Sequence, residues 1–162
     1  AEKAVQARID HLMGIKGKKS VDSIHKELGH IMWEYVGMGR TEEGLKTALK
    51  LLKDIRKEFE TNLFIPGSTE GVNIELEKAL RLNDFITMGE LIAYDALNRN
   101  ESCGGHFREE YQTEEGEAKR DDENYFYVSC WEYQGSDDVA PVLYKEPLVY
   151  EAIKVQTRNY KS

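Results

Sequence analysis

The stretch TEEGLKTALKLLKDIRKEFETNL, residues 41–63, decides how the rest of the chain is read. Leu45, Ala48, Leu52, Ile55, Phe59 and Leu63 recur at steps of three and four, with Lys and Glu filling most positions between. That spacing lays one apolar stripe along a helix and leaves the charged face in water. Thr41 stands where an N-cap hydroxyl belongs. The segment predicts a long amphipathic helix with one buried face, and such a helix needs partners.

Partners lie on both sides. Upstream, GMGR (37–40) breaks a helix in which Val21, Ile24, Leu28, Ile31, Met32 and Tyr35 share a stripe, with Ser20 as its N-cap. Before it, GIKGKKS (14–20) is a basic, glycine-rich linker that follows a short helix over 1–13. Downstream, IPGSTEG (65–71) carries one of the three prolines and ends the helical run. A third long helix over about 73–99 follows. Its apolar residues occupy several stripes: Leu76, Leu80 and Leu91 on one, with Leu82, Phe85, Ile86, Ile92 and Ala96 spread onto others. A helix of that kind is packed from more than one side. Three long helices with short connections predict an up-down-up bundle.

After residue 100 the period changes. Residues 100–124 are polar, acidic and glycine-containing, which predicts a long loop. YFYVSCWEYQ (125–134) and VLYKEPLVYEAIKV (142–155) are aromatic and branched, and GSDD lies between them, which predicts a β-hairpin. Pro147 weakens the second strand or confines it to an edge. The expected fold is mainly α: a three-helix bundle over 1–100, then a loop and β-hairpin extension over 101–162, both within one domain.

Composition narrows the function classes. The 162 residues suffice for one domain with its own core, and 40% hydrophobic residues fit a globular chain. Acidic residues outnumber basic ones 30 to 22, a net charge of −8, so the concentrated basic surface that nucleic acid requires is not favoured. The two cysteines, Cys103 and Cys130, have no paired spacing and read as free thiols of a reducing compartment. No apolar run approaches the roughly 20 residues of a membrane span. The opening AEKAVQARID reads as helix rather than signal peptide. With no methionine at residue 1, the expectation is a piece of a longer chain.

The densest chemistry sits in NRNESCGGHFREEY (98–111), where a thiol, an imidazole, guanidinium groups and carboxylates surround two glycines. Cys103 and His106 have ligand-like spacing, but a structural zinc takes four ligands and no second pair occurs. As a nucleophile and base they lack an orienting third group. Gly104 and Gly105 are instead expected to form the C-cap of the third long helix. Glu109, Glu110, Asp121, Asp122 and Glu123 read as a solvated acidic loop, because nothing in the pattern buries them. His25 and His30, five apart on a helix, point in different directions: one is expected at the surface and one partly buried. GIKGKKS lacks the phosphate-loop spacing, and GMGR continues without the dinucleotide fingerprint. No catalytic, cofactor-binding or metal-binding residue is expected in this chain.

The run ELIAYDALNRNESCGGHFREEY (90–111), followed by RDDENY (120–125), resembles the C-terminal region of the flavoprotein subunit of succinate dehydrogenase and fumarate reductase. That family ends a long helix with Glu-Ser-Arg-Gly-Ala-His, then x-Arg-x-Asp, then Arg-Asp-Asp-Glu-Asn-Trp. Glu101, Ser102, Gly104, His106 and Arg108 match, as do Arg120, Asp121, Asp122, Glu123 and Asn124. The closing KVQTRNYK (154–161) is similar to the family's basic, tyrosine-containing tail. Cys103 stands in place of the family's Arg, Tyr125 in place of its Trp, and QTEEGEAK (112–119) makes a longer link.

The resemblance implies a non-catalytic C-terminal domain of an oxidoreductase subunit that interconverts succinate and fumarate. It implies FAD in a separate domain of the same polypeptide and none here. It further implies iron–sulfur and membrane-anchor subunits as partners of the parent complex, which is peripheral on the cytoplasmic face of the bacterial inner membrane. Neither nucleic acid nor direct membrane insertion is expected. Ser102, Gly104, Gly105, His106 and Arg108 are the candidates for docking against the FAD-binding domain, the glycines allowing close backbone approach. The alternative is a free-standing helical interaction module that uses the loop at 98–124 for recognition.

Overall fold

The structure, a computed structural model, describes residues 1–136 and 139–156. The chain divides into two compact units, residues 1–98 and 99–162.

The first unit holds α1 (Glu2–Gly14), α2 (Val21–Val36), α3 (Glu42–Asn62) and α4 (Ile74–Asn98). Side chains cap the three long helices where the sequence places suitable residues. Ser20 Oγ accepts from the Ser23 amide at 3.2 Å, Thr41 Oγ1 from Gly44 at 3.0 Å and Asn73 Oδ1 from Leu76 at 3.1 Å. Each satisfies an amide that the first helical turn leaves without a partner. Asn73 also donates to the carbonyls of Pro66 at 2.9 Å and Ser68 at 3.2 Å, so the residue that starts α4 also shapes the loop before it. Gly67, at φ +89°, makes the turn there.

The α3 stripe is buried along its length, from Leu45 to Phe59. It meets Ile24 and Leu28 of α2 and Leu82 and Ile86 of α4 in one core. Each such side chain contributes about 1.5–3 kcal/mol when removed from water. The three helices meet at Gly89, where a Cβ would lie 3.1 Å from Met32 Sδ, 3.5 Å from Leu28 and 3.6 Å from Leu52. α1 adds less: Leu12 is its one buried residue, and Arg8 reaches the Leu80 carbonyl and Asp84, each at 3.3 Å.

Helix directions follow from a clasp at one end. Lys19–Ser20, which leads into α2, pairs in parallel with Leu63–Phe64, which leaves α3. The amides of Gly17 and Lys18 donate to the carbonyls of Leu63 at 3.0 Å and Asn62 at 2.9 Å. α2 therefore starts where α3 ends. Lys78, early in α4, bonds Asp22 at 3.2 Å, so α4 starts at that end too. This is the up-down-up bundle. Only glycine fits at 17, because a Cβ there would lie 1.9 Å from the Asn62 carbonyl group.

Ion pairs fasten the helix flanks. Lys19 Nζ sits 2.7 Å from Glu27 and 2.5 Å from Glu58. Hydrogen bonds to Glu27 and then Glu58 raise the Lys19 pKa, while the bond from Lys19 holds Glu58 below the usual carboxylate range. Arg56 grips Glu90 through two contacts, at 3.1 and 2.5 Å, joining α3 to α4.

One expectation is met with a qualification, and one needs correction. α4 does meet α1, α2 and α3, yet Phe85, Met88 and Ile92 remain exposed along it. His25 and His30 are both exposed, since neither lies on the buried Val21–Ile24–Leu28 stripe.

In the second unit, α5 (Asp122–Tyr125) is a single turn that the sequence pattern did not announce. Tyr127–Glu132 and Val142–Pro147 form the antiparallel hairpin, with Tyr127 opposite Pro147, Cys130 opposite Tyr144 and Glu132 opposite Val142. The second strand stops at Pro147 rather than running to 155. Leu148 then donates to the Phe126 carbonyl at 3.2 Å, and Tyr150 packs edge-on against Phe126 with ring centres 5.6 Å apart. Most of the KVQTRNYK tail, from residue 157 onward, lies outside the described residues. Among the described residues no helix is long and apolar enough to cross a membrane.

Candidate functional site

The Gly-Gly turn is a small hairpin, not a helix cap. α4 ends at Asn98, whose side-chain amide donates back to the Tyr94 carbonyl at 2.8 Å. The glycines lie well beyond that point. Cys103 and His106 exchange backbone hydrogen bonds, Cys103 N to His106 O at 2.8 Å and His106 N to Cys103 O at 3.1 Å. Gly104 between them takes φ +59° while Gly105 does not go positive, the pattern of a type II′ turn with glycine at its first central position. A two-residue loop of this kind explains why glycine is required there, which helix-capping chemistry did not.

One residue further out, Ser102 locks the arms together. Its hydroxyl accepts from the Arg108 amide at 2.8 Å and donates to the Arg108 carbonyl at 3.1 Å. Ser102 and Arg108 are both 0% exposed. The Arg108 guanidinium donates to Glu110 at 3.1 Å and stacks over the Tyr111 ring, 5.4 Å from its centre. The turn's outward face consists of exposed Gly104 and Gly105 with half-buried His106 and Phe107. A Cβ on either glycine would meet nothing within 4 Å.

The polar residues behind the turn are spent on holding the chain. Buried Glu101 accepts from Arg99 at 2.8 Å and from the Asp121 amide at 2.9 Å. Arg99 also donates to the Tyr125 carbonyl at 2.7 Å, and its guanidinium lies 5.6 Å from the centres of both the Tyr125 and Tyr127 rings. Lys145 covers Tyr127 at 4.5 Å. His106 Nε2 lies 2.9 Å from the Arg99 carbonyl. A carbonyl only accepts, so that nitrogen carries the proton. Asp121 caps α5 by accepting from the Asn124 amide at 3.2 Å. Arg120 bonds Asp122 at 3.0 and 2.6 Å, and that partner raises its pKa further above the ordinary guanidinium value.

The loop expected over 100–124 is internally ordered. A second reversal pairs Gln112 with Ala118, with Gly116 at φ +82° in its turn and Thr113 Oγ1 accepting from the Glu117 amide at 3.1 Å. Ser102 N donates to the Lys119 carbonyl at 2.9 Å, which ties the two reversals side by side.

The structure thus gathers Ser102, Gly104, Gly105, His106 and Arg108 in one turn, with Ser102 and Arg108 forming its interior. Arg99 was missed in the sequence. Its contacts run to Tyr125 and Tyr127, too far along the chain for any local spacing to expose. Cys103 is half-buried and Cys130 exposed, both free. Among the described residues no three His, Cys, Asp or Glu side chains are grouped to hold a metal ion.

Comparison with known proteins follows the same region and extends well beyond it. The family described as "Fumarate reductase flavoprotein C-term" matches residues 25–160. An uncharacterized FAD-dependent oxidoreductase of Methanocaldococcus jannaschii is 31% identical over 111 residues, 68% of this chain and 20% of that protein. The L-aspartate oxidase 2-b of Nicotiana tabacum is 37% identical over 88 residues, 54% of this chain and 13% of the oxidase. Among solved structures, a quinol-fumarate reductase with menaquinol molecules superimposes with a TM-score of 0.77 at 24% identity, covering 94% of this chain and 25% of the other, a likeness of fold. The chain spans about a fifth or less of the length of these curated relatives. It belongs to the fumarate reductase flavoprotein C-terminal family.

Proposed function

We propose that this chain is the non-catalytic, helical C-terminal domain of an FAD-dependent succinate dehydrogenase or fumarate reductase flavoprotein subunit. In this role it buttresses the FAD-binding domain of the same polypeptide. The family match over residues 25–160 carries the reading. The bonding of residues 99–125 supports it: Glu101, Ser102 and Arg108 are buried and engaged in shaping their own segment. Groups committed in that way hold a shape and leave little for chemistry.

In this reading FAD resides in the parent subunit outside these residues, and the chain alone holds none. Iron–sulfur and membrane-anchor subunits complete a complex peripheral to the cytoplasmic face of the inner membrane. The turn at Gly104–Gly105, stiffened by Ser102 and Arg108 and flanked by His106, docks on the FAD-binding domain. A second reading, a subunit that oxidises L-aspartate, draws on the identity to the tobacco oxidase.

The test uses the full-length subunit. Purified with its flavin, it should oxidise succinate with an artificial electron acceptor or reduce fumarate with a reduced dye. Turnover of L-aspartate alone would move the assignment to the second reading. His106→Ala and Arg108→Ala should each lower flavin retention and stability. Unchanged retention and stability in both would remove the docking role of the turn.

A further inference from the structure

The hairpin of the second unit has two outer edges, and they are not alike. Leu148 N donates to the Phe126 carbonyl at 3.2 Å, one step beyond the Tyr127–Pro147 pair. Bonded and non-bonded pairs alternate along an antiparallel ladder. Val128–Glu146, Cys130–Tyr144 and Glu132–Val142 are therefore the bonded pairs of the hairpin. The backbone groups of the residues between them point away from the neighbouring strand. They belong to Tyr127, Ser129 and Trp131 on one edge and to Leu143, Lys145 and Pro147 on the other.

The second edge is blocked. Pro147 has no amide to offer there, and Lys145 is exposed. Proline and lysine guard strand edges because an incoming strand finds a donor missing and meets charge. The first edge carries neither. Among the described residues no backbone hydrogen bond outside the hairpin takes the Tyr127 or Ser129 amide. An edge of this kind is a template for one more strand.

The sequence of the first edge selects the occupant. A two-fold axis at Ser129 sets that small residue opposite itself. It sets Tyr127 opposite Trp131 at both ends, an aromatic pairing that stabilises adjacent strands. On the exposed face Val128 falls opposite Cys130. Glu132, the one charged residue between 127 and 132, faces Phe126 and no other carboxylate. The same operation on the second edge, centred at Lys145, would set two lysines opposite one another, which is destabilising.

We infer that the Tyr127–Glu132 strand pairs with the same strand of a second copy, antiparallel about Ser129. The two hairpins then form a four-stranded sheet across a closed two-fold dimer. Nothing in this pairing depends on the subunit reading given above. Strand pairing alone buries little against the roughly 1,200–2,000 Å² of a stable complex, so the dimer is weak and concentration-dependent.

Disulfide trapping in the full-length protein tests the pairing. Every other cysteine, Cys103 and Cys130 included, is replaced by serine, and Ser129→Cys or Lys145→Cys is added. Residues opposite one another in a bonded pair lie about 5.5 Å apart at Cα, inside the disulfide range of about 4.4–6.8 Å. Under mild oxidation Ser129→Cys should form a covalent dimer at least about tenfold faster than Lys145→Cys. Rates within about twofold of each other overturn the pairing. Sedimentation of the native protein gives a second readout, and it should move from monomer toward dimer as concentration rises. Ser129→Pro, which removes only an outward-facing amide, should abolish that movement. A native protein that stays monomeric throughout, or a Ser129→Pro variant that dimerises unchanged, also overturns the pairing.

Discussion

Replacing Ser102 by alanine isolates a single physical effect. The substitution removes the hydroxyl that accepts the Arg108 amide at 2.8 Å and donates to the Arg108 carbonyl at 3.1 Å. The carbonyl retains the bond from Tyr111 N at 2.8 Å, so the loss falls on the amide. With both residues 0% exposed, water does not take the hydroxyl's place. A buried donor stripped of its partner costs roughly 1–3 kcal/mol. At about 1.4 kcal/mol per decade, that is roughly 5- to 150-fold in the local opening equilibrium. Amide hydrogen exchange at Arg108 in Ser102→Ala should accelerate within that range, while amides of Ile24 and Leu52 in the helical unit keep their protection. Exchange within about twofold of wild type would show that the hydroxyl is not what closes the turn, and the account of the Gly-Gly hairpin would fail.

Three further substitutions probe the helical unit. Gly17→Ala drives a methyl into the Asn62 carbonyl group, 1.9 Å away, and should cost about 3 kcal/mol in urea denaturation. Gly29→Ala fills open space on a helix surface and should stabilise the isolated chain by about 0.5–1 kcal/mol in the same assay. Glu58→Gln should lower stability by about 0.5–1 kcal/mol at neutral pH, since Lys19 and Glu58 are 28% and 32% exposed and solvent screens the pair. The Glu58 pKa is depressed, chiefly by the hydrogen bond from Lys19. Its contribution is therefore complete above the unfolded value of about 4.3 and fades as pH falls through the lower folded value. Urea titrations of wild type and variant should converge in acid. The raised pKa of Lys19 acts in the opposite sense, and its share is lost only in alkali, above the usual lysine range.

The helical unit was largely legible because its signals are local. Ser20 and Thr41 were readable as caps from their places before apolar runs, and the Leu45–Phe59 stripe announced its buried face directly. α4 was harder. Its apolar residues lie on several sides, and periodicity does not distinguish a side that packs inside the chain from one that stays open, as Phe85, Met88 and Ile92 do. Beyond residue 98 the determining contacts are distant in sequence. Glu101 bonds the Asp121 amide and Arg99 lies against Tyr125 and Tyr127, so the segment looked like loop although it is held at many points. The glycines misled for a related reason. Gly104 and Gly105 follow a helix, where a C-cap is the usual explanation, but the backbone exchange between Cys103 and His106 makes them a hairpin turn.

The bonds from Gly17 and Lys18 to Leu63 and Asn62 close the segment 17–63 on itself. α2 and α3 thus form a self-tied loop whose two ends meet, and α4 is laid against a structure already shut. What lies beyond the knot, from Pro66 to Gly71, is exposed chain that bears no part of the closure. It is there that a lineage could lengthen, shorten or cut this polypeptide while the helix pair kept its shape.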